Sequence, residues 1–166
     1  MPTVEAWLYM GIASVLITCS ALMSASEIAF FSITHAEREE LRESDDSATA
    51  RVVKLLDRPR YLLSTILIGN NIVNIGVIIL SYFIVTGIFN FQDIAIGTFV
   101  FPKATFDFLV NVVVVTFFLV LFGEAIPKVY ASHNKFSIAR GVSRLFIVLN
   151  RLLTPINYIQ IGRAHV

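Results

Sequence analysis

The amino-acid sequence predicts an all-α membrane protein with three transmembrane helices, because of its composition and the distribution of its charges. Of its 166 residues, 56% are hydrophobic and only 15% are charged, and the mean hydropathy is +0.75. Soluble domains contain about 45–50% apolar and about 25% charged residues. Three stretches carry no charge at all, namely 6–26, 61–92 and 108–123. Since about 20 apolar residues cross a bilayer as a helix, we expect spans at about 6–31, 61–89 and 107–130, in contact with lipid.

The first span differs from a cleaved signal peptide in two respects. Its apolar stretch is longer than the roughly 7–15 residues of a signal core, and Glu5 stands where basic residues would precede that core. We therefore expect a retained helix. The single cysteine, Cys19, lies within it and excludes an intramolecular disulfide.

The polar segment between spans one and two has the pattern of a helical hairpin. Thr34 followed by Glu37 fits a capping box at a helix start. The run Ser44-Asp45-Asp46-Ser47 favours a break, so that two short helices form. Asp57-Arg58-Pro59 ends the second of them, and Pro59 can open span two.

Two further segments flank span three. The 87–104 loop contains Gly, Asn and Pro together with four phenylalanines, which is typical of a loop that dips toward lipid headgroups. Apolar residues recur at helical spacing over about 135–157, with arginines between them. This pattern predicts an amphipathic juxtamembrane helix on the membrane surface.

The basic residues predict how the chain is oriented. Lysine and arginine accumulate on the cytoplasmic side of membrane proteins. Only Lys103 lies between spans two and three, whereas basic residues are frequent before span two and after span three: Arg38, Arg42, Arg51, Lys54, Arg58 and Arg60, then Lys128, Lys135, Arg140, Arg144 and Arg151. We expect the N-terminus outside, the helical hairpin and the C-terminal segment in the cytoplasm, and the 88–106 loop outside.

The C-terminal residues 161–166, Ile-Gly-Arg-Ala-His-Val, have an unusual feature. Back-translated as ATC GGA AGA GCA CAC GTC, they match a common short-read sequencing adapter. We interpret them as an artefact and leave them out of the functional argument. The alternative is a natural short tail. On the first interpretation the natural protein continues beyond about Gln160.

Glu124 is the most informative residue, because a carboxylate at membrane depth is costly and marks a functional site. In an α-helix, Pro127 would leave the carbonyl of Gly123 without its donor. A cation could satisfy both the carbonyl and the carboxylate. The alternative is a kinked helix end at which Glu124 reaches the interface or pairs with Lys128.

Polar residues occur in the cytoplasmic half of each predicted span. Span one carries Ser20, Ser24, Ser26 and Glu27; span two carries Asn70, Asn71 and Asn74; span three carries Gly123 and Glu124. Hydroxyl, amide, carbonyl and carboxylate oxygens suit Mg²⁺, Ca²⁺ or Na⁺ rather than zinc or copper. The alternative for the serines and asparagines is adhesion between helices, and Glu27 could serve as a gate. We find no catalytic motif, so we expect no enzyme, and we expect no nucleic-acid partner.

Three segments together resemble the transmembrane domain of the CorC/CNNM family. They are MSASEIA at 23–29, LIGNNIVN at 67–74 and FGEAIPK at 122–128. The resemblance covers nearly all of 5–157, and it is closest to the GldE-like branch, which is associated with gliding motility.

The resemblance carries specific expectations. It implies a homodimer of three-helix units in the bacterial inner membrane, followed by a cytoplasmic CBS-domain pair that this chain does not contain. It implies Mg²⁺ export coupled to Na⁺. Carried onto this chain, the implied metal ligands are Ser24, Asn70, the Gly123 carbonyl and Glu124, with Ser26 and Asn74 as further candidates. The alternative function is a membrane scaffold or regulatory subunit of a motility or secretion machine, with a structural cation site.

Overall fold

Three long apolar helices dominate the fold, as predicted. The structure is a computed structural model that describes residues 4–88, 94–96 and 99–162. Within these residues, helices long and apolar enough to cross a membrane cover Trp7–Phe31, Pro59–Val85 and Lys103–His133. The prediction of an all-α membrane protein with three spans is therefore confirmed. Of the tail at 161–166, residues 163–166 lie outside the described part.

The first two spans are regular helices joined by the predicted hairpin segment. Helix α1 is Val4–Phe31, α2 is His35–Arg42, α3 is Ser47–Leu56 and α4 is Pro59–Ile88. Thr34 caps α2 through its side chain, which accepts from the Glu37 N–H, while the Glu37 carboxylate accepts from the Thr34 N–H at 2.8 Å. Asp46 caps α3 by accepting from the N–H groups of Ala48 and Thr49. These caps satisfy the donors that a helix start leaves unpaired.

Two short strands follow, which the sequence did not predict. Strand β1, Ile94–Ile96, pairs antiparallel with β2, Phe99–Phe101, in the register Ile94↔Phe101 and Ile96↔Phe99. Alternating β-branched and aromatic residues favour such a pairing. The parts of the predicted loop at 89–93 and 97–98 lie outside the described residues.

The third span is not a uniform α-helix. It consists of α5, Lys103–Leu109; a first π-helical turn π1, Val110–Val115; α6, Thr116–Val120; a second π-helical turn π2, Leu121–Ala125; and α7, Ile126–His133. Helix α8 follows at Lys135–Gly162. A π turn adds one residue to a helical turn and is frequent at functional sites. Span three therefore carries two local changes of register, one in each half.

The hydrophobic core lies where the C-terminal end of α1 and the start of α4 meet α3 and α8. Phe30 and Phe146 are fully buried there, with ring centroids 5.6 Å apart and rings nearly perpendicular. Such a pair contributes about 0.5–1.5 kcal/mol beyond its buried area. Around them pack Val52, Leu62 and Ile66. The rest of the spans leaves large apolar side chains exposed, which suits a lipid environment.

Ionic contacts join the same elements at their edges. Asp57, which follows α3, forms salt bridges with both Arg38 and Arg42 of α2. The distance to Arg42 is 2.8 Å. Lys135, at the start of α8, lies 2.7 Å from the Glu37 carboxylate and donates to the carbonyl of Ser32 at 3.1 Å. The Lys135 hydrogen bond and the Thr34 cap lower the pKa of Glu37 to about 2. Helices α1, α2 and α8 are thus held together at one point.

Candidate functional site

Four oxygen atoms from the three spans meet around Ser20, and we call them the oxygen cluster. The Ser20 Oγ lies 2.7 Å from Asn74 Oδ1, 3.2 Å from Asn70 Oδ1 and 3.5 Å from the Gly123 carbonyl oxygen. Ser20 is 1% exposed. A hydroxyl has a single proton to donate, so Ser20 can satisfy only one of these three acceptors at a time. The oxygen cluster therefore has more lone pairs than hydrogens, an arrangement that favours a cation.

The asparagines reach the cluster because α4 packs closely along α1. Asn70 and Asn74 are four residues apart and so share one face of α4. Asn71, between them, is exposed on another face. The sequence predicted that Asn70 and Asn74 share a helix face, and in the structure both side chains lie within hydrogen-bond distance of Ser20.

The two serines proposed as ligands occupy different positions. Ser24 lies one turn after Ser20, on the same face of α1, and is 1% exposed. Within the described part of the chain its Oγ is buried without a hydrogen-bond partner, which leaves it able to accept or coordinate beside the oxygen cluster. Ser26 is fully buried, and its hydroxyl donates to the Leu22 carbonyl within α1.

Gly123 makes the close approach of α1 to span three possible. A Cβ at this position would lie 3.0 Å from Ser20 Oγ and 3.2 Å from the Leu119 side chain. Both distances are tighter than ordinary contacts, so with a larger residue at 123 the Ser20 side chain or the helices would have to give way. Glycine is the residue that permits such close backbone approach.

The π2 turn ends two residues before Pro127. The N–H of Ile126 donates to the carbonyl of Leu121, five residues back. Pro127 follows without an N–H, so it cannot donate to the carbonyl of Gly123 four residues back, as the α-helical spacing predicted, or to a carbonyl in the π register. Gly123 still presents its carbonyl to Ser20. The Gly123 carbonyl that faces Ser20 therefore lies within a π turn and close to a proline.

Glu124 pairs with Lys128, which is one of the two alternatives that the sequence left open. Lys128 Nζ lies 2.9 Å from Glu124 Oε1 and 3.4 Å from Glu27 Oε2. We call these three residues the carboxylate pair and its lysine. They join α1 to span three directly beside the oxygen cluster, since Glu124 follows Gly123 in the chain. Two carboxylates against one ammonium leave a net charge of −1 at this end of the site.

The site is built without a dense cluster of strong metal ligands. Among the described residues, no group of three or more His, Cys, Asp or Glu side chains could hold a metal ion. The ligands available are instead hydroxyl, amide and carbonyl oxygens, with carboxylates adjacent. This donor set fits a hard cation such as Mg²⁺, Ca²⁺ or Na⁺.

Sequence reasoning missed two contributors. Ser20 was visible on the same face as Ser24 and Glu27, but only the packing of α1 on α4 shows that it is the centre of the cluster. The link from Lys128 to Glu27 connects two helices far apart in sequence. No local pattern indicates that contact.

Three membrane-length helices that enclose an oxygen-lined site define the class, a multi-pass α-helical membrane protein. The chain belongs to the Cyclin M transmembrane N-terminal domain family, whose model matches residues 11–164. This confirms the family resemblance; the match does not distinguish the GldE-like branch.

Two bacterial relatives are similar over most of the chain. The UPF0053 inner membrane protein YfjD of Escherichia coli K12 is 28% identical over 137 residues, which is 82% of this chain and 29% of the relative. A UPF0053 protein of Haemophilus influenzae is 27% identical over 149 residues, 88% of this chain and 32% of the relative. The chain therefore spans about a third of the length of these relatives.

Proposed function

We propose that this chain is the ion-conducting transmembrane domain of a divalent-cation transporter, and that the cation is Mg²⁺, exported in exchange for Na⁺. The family is associated with divalent-cation transport across membranes. The observation that carries the proposal is the oxygen cluster, in which one hydroxyl proton faces three acceptors. A bound cation would be a partner for the oxygen lone pairs that the single hydroxyl proton leaves unpaired.

The spacing of the oxygens suits a small hard ion. Mg²⁺ holds its ligands at about 2.0–2.1 Å in octahedral geometry, which places neighbouring ligand oxygens about 3 Å apart. The separations around Ser20 run from 2.7 to 3.5 Å. Ser20, Ser24, Asn70, Asn74 and the Gly123 carbonyl supply neutral ligands. Water completes the shell, as is usual for this ion.

Charge balance assigns a role to the carboxylate pair and its lysine. A divalent cation among neutral oxygens in a membrane needs a nearby negative charge. Glu124 is the adjacent carboxylate, and in the structure it is held by Lys128 at 2.9 Å. Glu124 becomes a ligand, or an electrostatic partner of the ion, when it releases this lysine. Glu27 then remains for Lys128, so the ammonium is not left unpaired.

The second candidate is a scaffold or regulatory subunit of a motility or secretion machine, in which a cation is structural. The observation that favours it is the same ion pair, because Lys128 already neutralises Glu124 without any ion. Both candidates include a homodimer in the bacterial inner membrane, with a CBS-domain pair after α8.

Ion flux in liposomes separates the two candidates. The full-length protein containing this domain is reconstituted, and Mg²⁺ flux is followed with a fluorescent indicator, with and without a Na⁺ gradient. We expect flux that Asn70→Ala and Asn74→Ala abolish. Asn71→Ala is the matched control, since this neighbouring asparagine is exposed on another face, and it should transport normally. Binding of Mg²⁺ without flux in the parent would support the scaffold, and equal flux in all variants would refute the site.

A further inference from the structure

A second polar group lies at the other end of span three, outside the oxygen cluster. Asp107, on α5, is only 7% exposed, and its Oδ1 is buried without a hydrogen-bond partner among the residues that the structure describes. Helix α5 packs against α4. A buried carboxylate oxygen without a partner carries a large desolvation cost. Such an atom in a folded protein requires an explanation.

Two neutral oxygen donors accompany this carboxylate. Asn111 lies one turn after Asp107 and therefore on the same face of span three. The Ser81 hydroxyl of α4, 6% exposed, lies 2.6 Å from Asn111 Oδ1 and 2.7 Å from the Ile78 carbonyl oxygen. Its one proton serves one of those acceptors at a time. As in the oxygen cluster, one hydroxyl proton faces more than one acceptor at this point.

The local backbone supports a built site. Asn111 lies in the π1 turn, Val110–Val115, which packs against α4. The extra residue of a π turn rotates the side chains that follow it, and it persists where function requires that rotation. Each half of span three thus combines a π turn with polar residues opposite a serine of a neighbouring helix.

We infer that Asp107, Asn111 and Ser81 form a second cation site, selective for a monovalent ion, and that Na⁺ is its ligand. One carboxylate balances one positive charge, whereas a divalent ion would leave an excess charge in the membrane. Carboxylate, amide and hydroxyl oxygens are hard donors that suit Na⁺. The site is distinct from the oxygen cluster, because Ser81 lies seven residues beyond Asn74, or about 10 Å along α4.

Lys103 is the rival partner for Asp107. It lies one turn before Asp107 on α5, at a spacing that permits an ion pair. If Lys103 neutralises Asp107, the carboxylate is structural and no ion is needed. The two alternatives predict different changes in thermal stability when the Asp107 carboxylate is removed.

The test measures the thermal unfolding midpoint of the full-length protein in detergent, without Mg²⁺, in NaCl and in choline chloride at equal ionic strength. We expect Na⁺ to raise Tm by about 3–6 °C at ten times its Kd. Asp107→Asn should abolish this increment and should raise Tm in choline chloride, since it removes a buried charge. Ser81→Ala and Asn111→Ala should each weaken the apparent Na⁺ affinity roughly tenfold, and they keep the test decisive if Asp107→Asn does not fold.

Asn70→Ala is the control, because it alters the oxygen cluster and should retain the full Na⁺ increment. Mg²⁺ binding should survive Asp107→Asn, so this site and the proposed transport site can fail independently. The inference is overturned if Asp107→Asn keeps the increment, or if choline and Na⁺ stabilise equally. It is also overturned if Asp107→Asn and Lys103→Met lower Tm in choline chloride by the same amount.

Discussion

The Ser20 hydroxyl connects all three transmembrane helices. It reaches a side chain of α4 and a backbone carbonyl of span three from a position that is almost fully buried. The sequence predicted that polar residues of three helices would meet, because serines and asparagines recur there at helical spacing. It could not predict Ser20 as the centre, since that depends on how α1 and α4 are rotated against each other.

Gly123→Ala tests the close approach at this point. The added methyl group meets Ser20 Oγ at 3.0 Å and the Leu119 side chain at 3.2 Å, so the Ser20 hydroxyl or the two helices must give way by a few tenths of an ångström. Overpacking of this kind costs about 1–3 kcal/mol, and we expect Mg²⁺ affinity to fall about tenfold or more by isothermal titration.

Gly141→Ala is its control, because no atom lies within 4 Å of the place that the added methyl group would take in α8. Alanine in a helix is favoured over glycine by up to about 1 kcal/mol, so this variant should bind Mg²⁺ normally and be at least as stable as the parent. A Gly123→Ala variant that binds as tightly as Gly141→Ala would show that the approach is not required.

Lys128→Met tests whether the ammonium competes with the ion. Removing Lys128 frees Glu124 and Glu27, which it contacts at 2.9 and 3.4 Å, so Mg²⁺ affinity should rise about tenfold. Lys128→Arg retains the charge and should bind as the parent does. Isothermal titration of both variants with Mg²⁺ measures this effect. An unchanged Mg²⁺ affinity in Lys128→Met would show that Glu124 is not a ligand.

At the scale of elements, span three differs most from its prediction. Its length and apolar character follow from local composition, and both were predictable. The two π turns were not predictable, because the extra residue in each depends on the contacts that the neighbouring helices make with the displaced backbone. Proline at 127 signalled an irregularity near the second turn. Nothing in the apolar sequence around Asn111 signalled the first.

The junction of α2 and α8 predicts a pH dependence. Hydrogen bonds from Lys135 and Thr34 lower the pKa of Glu37 to about 2 from an unfolded value of 4.5. Because the folded pKa is lowered, the stabilisation is complete above about pH 4.5 and is lost as the pH falls from there toward 2.

Chemical unfolding monitored by circular dichroism across this pH range measures the effect. Glu37→Gln should lose stability at neutral pH and show a smaller loss between pH 4.5 and 2 than the parent. Glu40→Gln, at an exposed position of the same helix, should follow the parent curve. Parallel curves for the parent and Glu37→Gln would show that the junction does not titrate as described.

For the whole molecule, the distribution of basic residues predicts the N-terminus outside and α8 in the cytoplasm. This is tested in cells with a membrane-impermeant maleimide, in a Cys19→Ser background. Ser44→Cys, between α2 and α3, should react only after the membrane is opened, whereas Thr105→Cys, exposed near the start of span three, should react in intact spheroplasts. The reverse pattern would invert the topology.

The three spans were predictable from charge-free runs because the bilayer acts on each segment separately. Contacts between helices depend on their mutual rotation, so the chemistry of the site was foreseeable while its hydrogen-bond geometry was not. Pairing of Glu124 with Lys128 was foreseeable because it is local in sequence. The participation of Glu27 was not, because it joins α1 to span three.

The tie between α1 and α8 has a mechanical consequence. Phe30 packs edge-on against Phe146, and Lys135 binds the Ser32 carbonyl. Since α1 is a single continuous helix from these contacts back to Ser20, a rotation of α1 at this junction is transmitted along the helix to Ser20. A torque applied to α8 would turn Ser20 and Ser24 about the axis of α1, and so would open or close their approach to the asparagines of α4.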